Sequence, residues 1–286
     1  MEQSAKGRSN LSEVWRRLKK NKVAVASMFV LLIVFLVAIF APFLAPHSYD
    51  YTNPSRGLEG PSRYYPLGTD RIGRCILSRL IYGSRQSLQM GLFAVTGSAI
   101  VGVFIGALAG YYGGHVDTLL MRCLDIFEGI PMFLMTVTLA AVLGPSLRNA
   151  IIAIGIALIP DRARLMRASI LSVREMEYIE AAKSIDAGTA RIIIKHVIPN
   201  AIAPTIVALT MSMGMAVLSG ATLSFIGLGV QPPTAEWGAM IAEGRSFIRA
   251  QPQLALYPGI CIMITVLAFN MLGDGLRDAL DPRLKS

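Results

Sequence analysis

Residues 23–45 read VAVASMFVLLIVFLVAIFAPFLA, 23 apolar or small residues without a charge. Crossing a bilayer takes roughly 20 such residues. A cleaved signal peptide has a shorter apolar core, about 7–15 residues, followed by a small-residue cleavage site. The run therefore reads as a retained membrane helix. WRRLKKNK stands just before it, with five Lys or Arg between Trp15 and Lys22. Basic flanks stay in the cytoplasm, so this helix starts inside.

The remainder of the chain agrees. Of 286 residues 53% are hydrophobic and 16% charged, against about 45–50% and 25% in soluble domains. A water-soluble enzyme and a disordered chain are both excluded. Five further spans are expected at Leu88–Gly110, Leu119–Leu143, Asn149–Met166, Ala201–Leu223 and Leu256–Leu272. This predicts an all-α membrane protein of six transmembrane helices with both termini cytoplasmic. In it, 1–22 is a cytoplasmic tail, 23–45 the first helix and 46–87 an extracytoplasmic segment broken by Pro46, Pro54, Pro61 and Pro66. Residues 88–279 form a five-helix core with a cytoplasmic loop at 170–199, and 280–286 form a second tail.

Charge tests that topology. The net charge is +9, but no interleaving of basic and aromatic residues points to nucleic acid. Cytoplasmic positions hold seven Lys or Arg before the first span, Arg122, seven from Arg162 to Lys195 and three at the end, 18 of the 27. The bias supports the six-span path. Residues 46–87 resist it with six arginines on the outside.

Several chemistries lack their residues. The three histidines, His47, His115 and His196, lie at span ends or in loops, and no HExxH occurs, so a membrane-embedded hydrolase has no base or metal motif. The dipeptide Gly-Lys is absent, which removes the phosphate-cradling loop of an ATPase. Cys75, Cys123 and Cys261 have no paired spacing and read as small buried or interfacial residues. Gly102, Gly106 and Gly110 form GxxxGxxxG, a small face where a second helix approaches closely; packing within the chain is the plainer reading. Among acids near the membrane, Glu128 is the candidate for lining a pathway. It lies three residues before Pro131, which leaves a backbone carbonyl without its usual donor.

The most informative polar stretch is SVREMEYIEAAKSIDAGTARIIIKHVIPNAIAP, beginning at Ser172. Met176, Ile179, Ala182 and Ile185 recur every three residues, predicting a short amphipathic helix. A second short helix follows over Ala190–Val197, and Pro199 turns the chain into the next span. Such a helix either lies flat on the membrane or inserts into a groove of a soluble partner, where small Ala181 and Ala182 permit close approach. Residue chemistry alone leaves both open.

Glu180-Ala181-Ala182, with Gly188 and Ile198-Pro199, resembles the EAA loop of permease subunits of binding-protein-dependent ABC importers. The nineteen-residue spacing from Glu180 to Pro199 matches that pattern. The resemblance implies that Tyr178, Glu180, Ala181, Ala182, Asp186, Gly188, Ile198 and Pro199 form the joint with a cytoplasmic ATPase. Asp186 stands where the family usually has glycine; it is expected to cap the following helix instead, and Gly188 to take over the bend. Two further runs resemble the external segments of dipeptide, oligopeptide and nickel permeases. They are PLGTDRIGR from Pro66, continuing to Gly83, and LSFIGLGVQPP from Leu223, followed by Glu236-Trp237-Gly238. Cys75 stands where that family more often has Asp.

The likeness favours the C-type subunit of the permease pair and covers nearly the whole chain. It implies the type I importer fold in a bacterial or archaeal cell membrane, with an amphipathic external region inside 46–87. The implied partners are a homologous B-type permease, two ATPase subunits that carry ATP and Mg, and an extracytoplasmic solute-binding protein, with no cofactor on this chain. The expected cargo is a di- or oligopeptide. A nickel permease is the alternative within the family, and a channel or receptor without an ATPase is the alternative outside it.

Overall fold

The computed structural model describes residues 10–184 and 188–280, and among these the regular secondary structure is helical, without a β-strand. In chain order the helices are α1 (Asn10–Lys20), α2 (Lys22–Ile39), α3 (Ala41–Leu44), α4 (Ile76–Tyr112), α5 (Gly114–Glu128), α6 (Met132–Leu143) and α7 (Leu147–Val173). After these come α8 (Glu177–Ser184), α9 (Thr189–Ile192), α10 (Ile198–Ala201), α11 (Ala203–Phe225), α12 (Trp237–Gly244) and α13 (Gln253–Leu280).

Asn21 separates the basic helix α1 from the apolar helix α2, its side chain accepting from the amides of Val23 and Ala24. By length and composition α2, α4, α11 and α13 can each cross a bilayer; α5 and α6 make a fifth span if the pair is taken together. That pair is bent by 83°, so the single span expected over Leu119–Leu143 is broken. Gly129 and Pro131 lie in the break, where Pro131 donates no amide and cannot continue α5. The span expected over Asn149–Met166 falls within α7. This helix is 27 residues long but carries Asp161, Arg162, Arg164 and Arg167 in its second half.

α4 begins at Ile76, well ahead of the expected Leu88, and runs for 37 residues. Its first turns are too polar to announce themselves as a span. They are helical because Ile76, Leu80, Gly83 and Ser87 pack on α12 and its loop. Further along, Gly102, Gly106 and Gly110 face α7; a Cβ on any of them would meet Arg162, Ala163, Met166, Arg167 or Ile170 within about 3 Å. The glycine stripe therefore serves packing inside the chain. One core joins Leu31 of α2, Met90 and Ala94 of α4, Ile154 and Leu158 of α7, Ala216 of α11 and Phe269 of α13. Phe29, Phe43, Ile100, Phe104, Ile126 and Val142 point outward from the bundle. An apolar surface this extensive is stable only against lipid or another protein.

Candidate functional site: a rooted loop at one end, a charged cap at the other

The loop between α7 and α11 consists of α8, α9, a π turn over Ile193–Val197 and α10. Pro199 sits two residues beyond that turn. It lacks an amide, and its ring crowds the carbonyl four residues back, so the backbone widens before it. Ile179, which is 0% exposed, packs with Ala182, Ile192, Val197 and Ala201. The same cluster includes Ala107 of α4 and Met166, Ile170 and Val173 of α7. An Arg174 guanidinium N–H adds a 2.9 Å bond to the carbonyl of Gly110. The loop is thus anchored in the ends of two long helices, α4 and α7.

This geometry corrects two expectations. Ala182 is 8% exposed and faces the chain's own core, so its small size admits Ile179, Ile192 and their neighbours rather than a partner's groove. Gly188 has φ −54° and ψ 140°, a conformation open to any residue, so no glycine-specific bend occurs there. The outer face of the loop presents Tyr178, 41% exposed, with Glu180 and Ile194. Ile198 is partly buried against the cluster and Pro199 is exposed. The side chain of Ala181 and the whole of Asp186 lie outside the described residues.

Charge also links α5 to α7. Arg164 pairs with Asp125 at 2.6 Å and with Glu128, and Arg167 pairs with Asp117. Glu128 is therefore held by a cation at the point where the α5–α6 span breaks.

Ala107 lies near one end of α4, and the charged cap is built at the other. There the run LGTDRIGR folds around Asp70, whose carboxylate accepts from the amides of Ile72 and Arg74 at 3.0 Å. Gly68 and Gly73 have φ +81° and +77°, and a Cβ at Gly73 would stand 1.9 Å from the carbonyl oxygen of Asn53. Only glycine fits both positions. Asp70 also pairs with Arg74 at 2.6 Å and Arg79 at 2.8 Å, and both arginines reach Glu243 of α12. Two of the six arginines that strained the charge bias are thereby neutralised. Glu243 had no sequence signal of its own; the surplus of outside arginines was the only clue that a partner existed.

Glu236, fully buried, caps α12. Its carboxylate accepts from the Ala239 amide at 2.9 Å and the Ser87 hydroxyl at 2.8 Å. Trp237 donates its indole N–H to the Leu80 carbonyl at 3.0 Å, and a Cβ at Gly238 would collide with the Ala221 backbone. The Glu-Trp-Gly run is accordingly a joint between α4, α11 and α12. Burial pushes the Glu236 carboxyl above the ordinary carboxylate range, against the opposing pull of the Gly238 and Ala239 amides and the Ser87 and Ser224 hydroxyls. A carboxyl raised in the folded state gives stability that is complete below its unfolded pKa and declines as pH rises through the folded value. Relative to Glu236→Gln, the native protein is expected to lose thermal stability over the range above the ordinary carboxylate pKa of 4.5. A difference that stays flat over that range, or grows in the native protein's favour, contradicts the assignment.

Comparison with known proteins places this architecture. Residues 102–286 match the family model of the "binding-protein-dependent transport system inner membrane component", and residues 9–61 match the "N-terminal TM domain of oligopeptide transport permease C". The dipeptide transport system permease protein DppC of Alkalihalophilus pseudofirmus is 49% identical over 274 residues, covering 96% of this chain and 90% of its own. The glutathione transport system permease protein GsiD of Pectobacterium atrosepticum is 42% identical over 275 residues, covering 96% and 91%. DppC of Haemophilus influenzae is 43% identical over 281 residues, covering 96% and 95%. Among solved structures, a chain of the inward-facing MetNI methionine ABC transporter aligns with a TM-score of 0.59 at 18% identity, over 72% of this chain and 98% of that one. A chain of an amino acid ABC transporter aligns at 0.52 and 17% identity, over 69% and 92%. These structural likenesses bear on the fold, which is that of ABC importer transmembrane domains. The rooted loop, the external runs and the sequence likeness along almost the whole chain converge: the chain belongs to the inner-membrane permease components of binding-protein-dependent ABC transport systems.

Proposed function

We propose that this permease forms one half of the translocation pathway of an ATP-driven importer of di- or oligopeptides. The observation that carries this reading is the α8–α10 loop, anchored in α4 and α7 by Ile179, Ala182 and Val197 while offering Tyr178 and Glu180 outward. The 49% identity to a dipeptide permease supports the cargo. In this reading the loop docks on a cytoplasmic ATPase subunit, one of two that bind ATP and Mg. A homologous permease completes the pathway, and an extracytoplasmic binding protein delivers the peptide. The chain itself makes and breaks no bonds. ATP binding on the partners drives the loops, and the motion passes through the α4 and α7 ends into the bundle. Glu128, at the break between α5 and α6, is the candidate carboxylate facing the pathway.

The decisive experiment uses the complete complex in proteoliposomes, reading peptide uptake and peptide-stimulated ATP hydrolysis. Tyr178→Ala with Glu180→Ala removes the outward contacts without touching the buried root. Loss of a well-packed aromatic anchor costs about 2 kcal/mol or more, or roughly a thirtyfold fall in coupling at about 1.4 kcal/mol per tenfold. Ala182→Leu is the folding control; it overpacks the chain's own core at about 1–3 kcal/mol and reduces recovery of the subunit itself. Normal uptake and normal stimulation by the double variant would remove the loop from the mechanism.

Orientation has its own test. In a background lacking the native cysteines, a cysteine at Ser62 is expected to react with a membrane-impermeant reagent in intact cells. One at Ser184 is expected to react only after permeabilisation. The reverse pattern would invert the proposed topology, in which both termini and α8–α10 are cytoplasmic.

A further inference from the structure

The charged cap at the far end of α4 encloses a cavity of about 410 Å³ between the LGTDRIGR turn, the start of α4, α12 and the start of α13. This is the size of a small-ligand pocket. Its charged walls are Asp70, Arg71, Arg74, Arg79, Glu243 and Arg245, four cations against two anions. The two carboxylates are engaged: Asp70 takes Arg74 and Arg79, and Glu243 takes the same two. Arg71 and Arg245 form no ion pair among the described residues, and the guanidinium of Arg245 lies over the ring of Phe225 at 5.7 Å. One N–H deep in the wall, on Nε of the 1% exposed Arg79, also has no acceptor. The cavity thus holds surplus positive charge and unused donors. Beside Ser246, much of its remaining wall is apolar, with Met240, Phe247 and Leu254. A second cavity of about 350 Å³, which shares Pro232, Ala242, Glu243 and Arg245, extends the space toward Gln231 and Ser224.

We propose that this cavity receives the free C-terminal carboxylate of a short peptide, with Arg71 and Arg245 as its ligands and the Met240–Phe247–Leu254 wall taking the terminal side chain. Guanidinium groups present paired donors that match a carboxylate. A surplus of arginine beside an apolar wall selects an anion that carries an apolar group over a plain inorganic ion. An extended peptide would continue past Pro232 into the second cavity. The site rests on the peptide-import reading for its cargo but not for its chemistry. It makes the permease itself a second selector, one that admits peptides with a free C-terminus.

The test uses the assembled complex in nanodiscs, with Ser246→Cys placed at the cavity wall and the chain without that substitution as background. The readout is the rate of labelling by an impermeant maleimide. N-acetyl-leucine, a carboxylate without an amine, is expected to slow labelling about fivefold near saturation, as occupancy dictates. N-acetyl-leucinamide, the same shape without the charge, is expected to leave the rate unchanged. Arg71→Ala with Arg245→Ala abolishes protection while leaving the Asp70–Arg74–Arg79–Glu243 cluster whole, and Arg245→Lys retains part of it. Equal protection by acid and amide, protection that survives in the double variant, or no protection up to about 50 mM, weaker than any useful subsite, overturns the site. Peptide uptake by the same complex is read separately. Protection without uptake sinks the peptide cargo and keeps the anion site; uptake without protection does the opposite.

Discussion

Arg79→Ala is expected to destabilise the subunit by about 3–5 kcal/mol, the usual effect of removing one partner from a buried ion pair. Arg79 is 1% exposed and contacts Asp70 at 2.8 Å and Glu243 at 2.6 Å. Its loss leaves Arg74 as the sole counter-ion among the described residues for two carboxylates, in a place where water replaces it poorly. The cluster fastens the LGTDRIGR turn to α12, so the whole cap is expected to loosen. The thermal midpoint of the detergent-solubilised complex and protease sensitivity between residues 46 and 75 provide the readouts. Arg63→Ala, at an exposed site, is the control and is expected to change neither. Arg79→Lys keeps the charge but reaches only one acid well, which predicts an intermediate effect. A wild-type midpoint for Arg79→Ala would mean that the cluster contributes nothing to holding the cap.

The second large effect is expected at Gly106. A Cβ there would stand 2.3 Å from the carbonyl oxygen of Ala163 and 2.8 Å from Cβ of Met166. The obstacle is the backbone of α7, which no rotamer change removes, so Gly106→Leu must push α4 and α7 apart. Overpacking costs about 1–3 kcal/mol and occasionally more; the upper end is expected here. Because Met166 also roots the α8–α10 loop, uptake in proteoliposomes is expected to fall along with the thermal midpoint. Gly97→Ala, at a position where a Cβ meets open space, is the matched control and is expected to gain up to about 1 kcal/mol from better helix propensity. Equal stability for the two variants would show that the α4–α7 approach is looser than its geometry.

Both predictions rest on features whose residues were visible in the sequence but whose partners were not. GxxxGxxxG announced a close helix approach, yet a stripe of glycines does not say whether the neighbour is α7 or another subunit. The six arginines of residues 46–87 announced a missing set of counter-charges. Asp70 lay in the same run, whereas Glu243 belongs to α12, with most of the bundle between it and Arg79 along the chain. The amphipathic period of α8 separated its buried and exposed faces, but whether Ala182 faced this chain or a partner was decided only by where α4 and α7 end.

The sequence by itself determined the all-α class, the apolar helices and the family. Those rest on composition, on runs of apolar residues and on local motifs, which act within a few neighbouring residues. The tertiary structure alone decided where α4 begins, which way Ala182 points, and that Asp70, Arg74, Arg79 and Glu243 form one cluster. The first turns of α4 are polar by composition and become helical through burial against α12, and the charges meet because distant segments fold onto one end of the same long helix. Contacts of that kind depend on the position of every helix at once, and no local pattern records them.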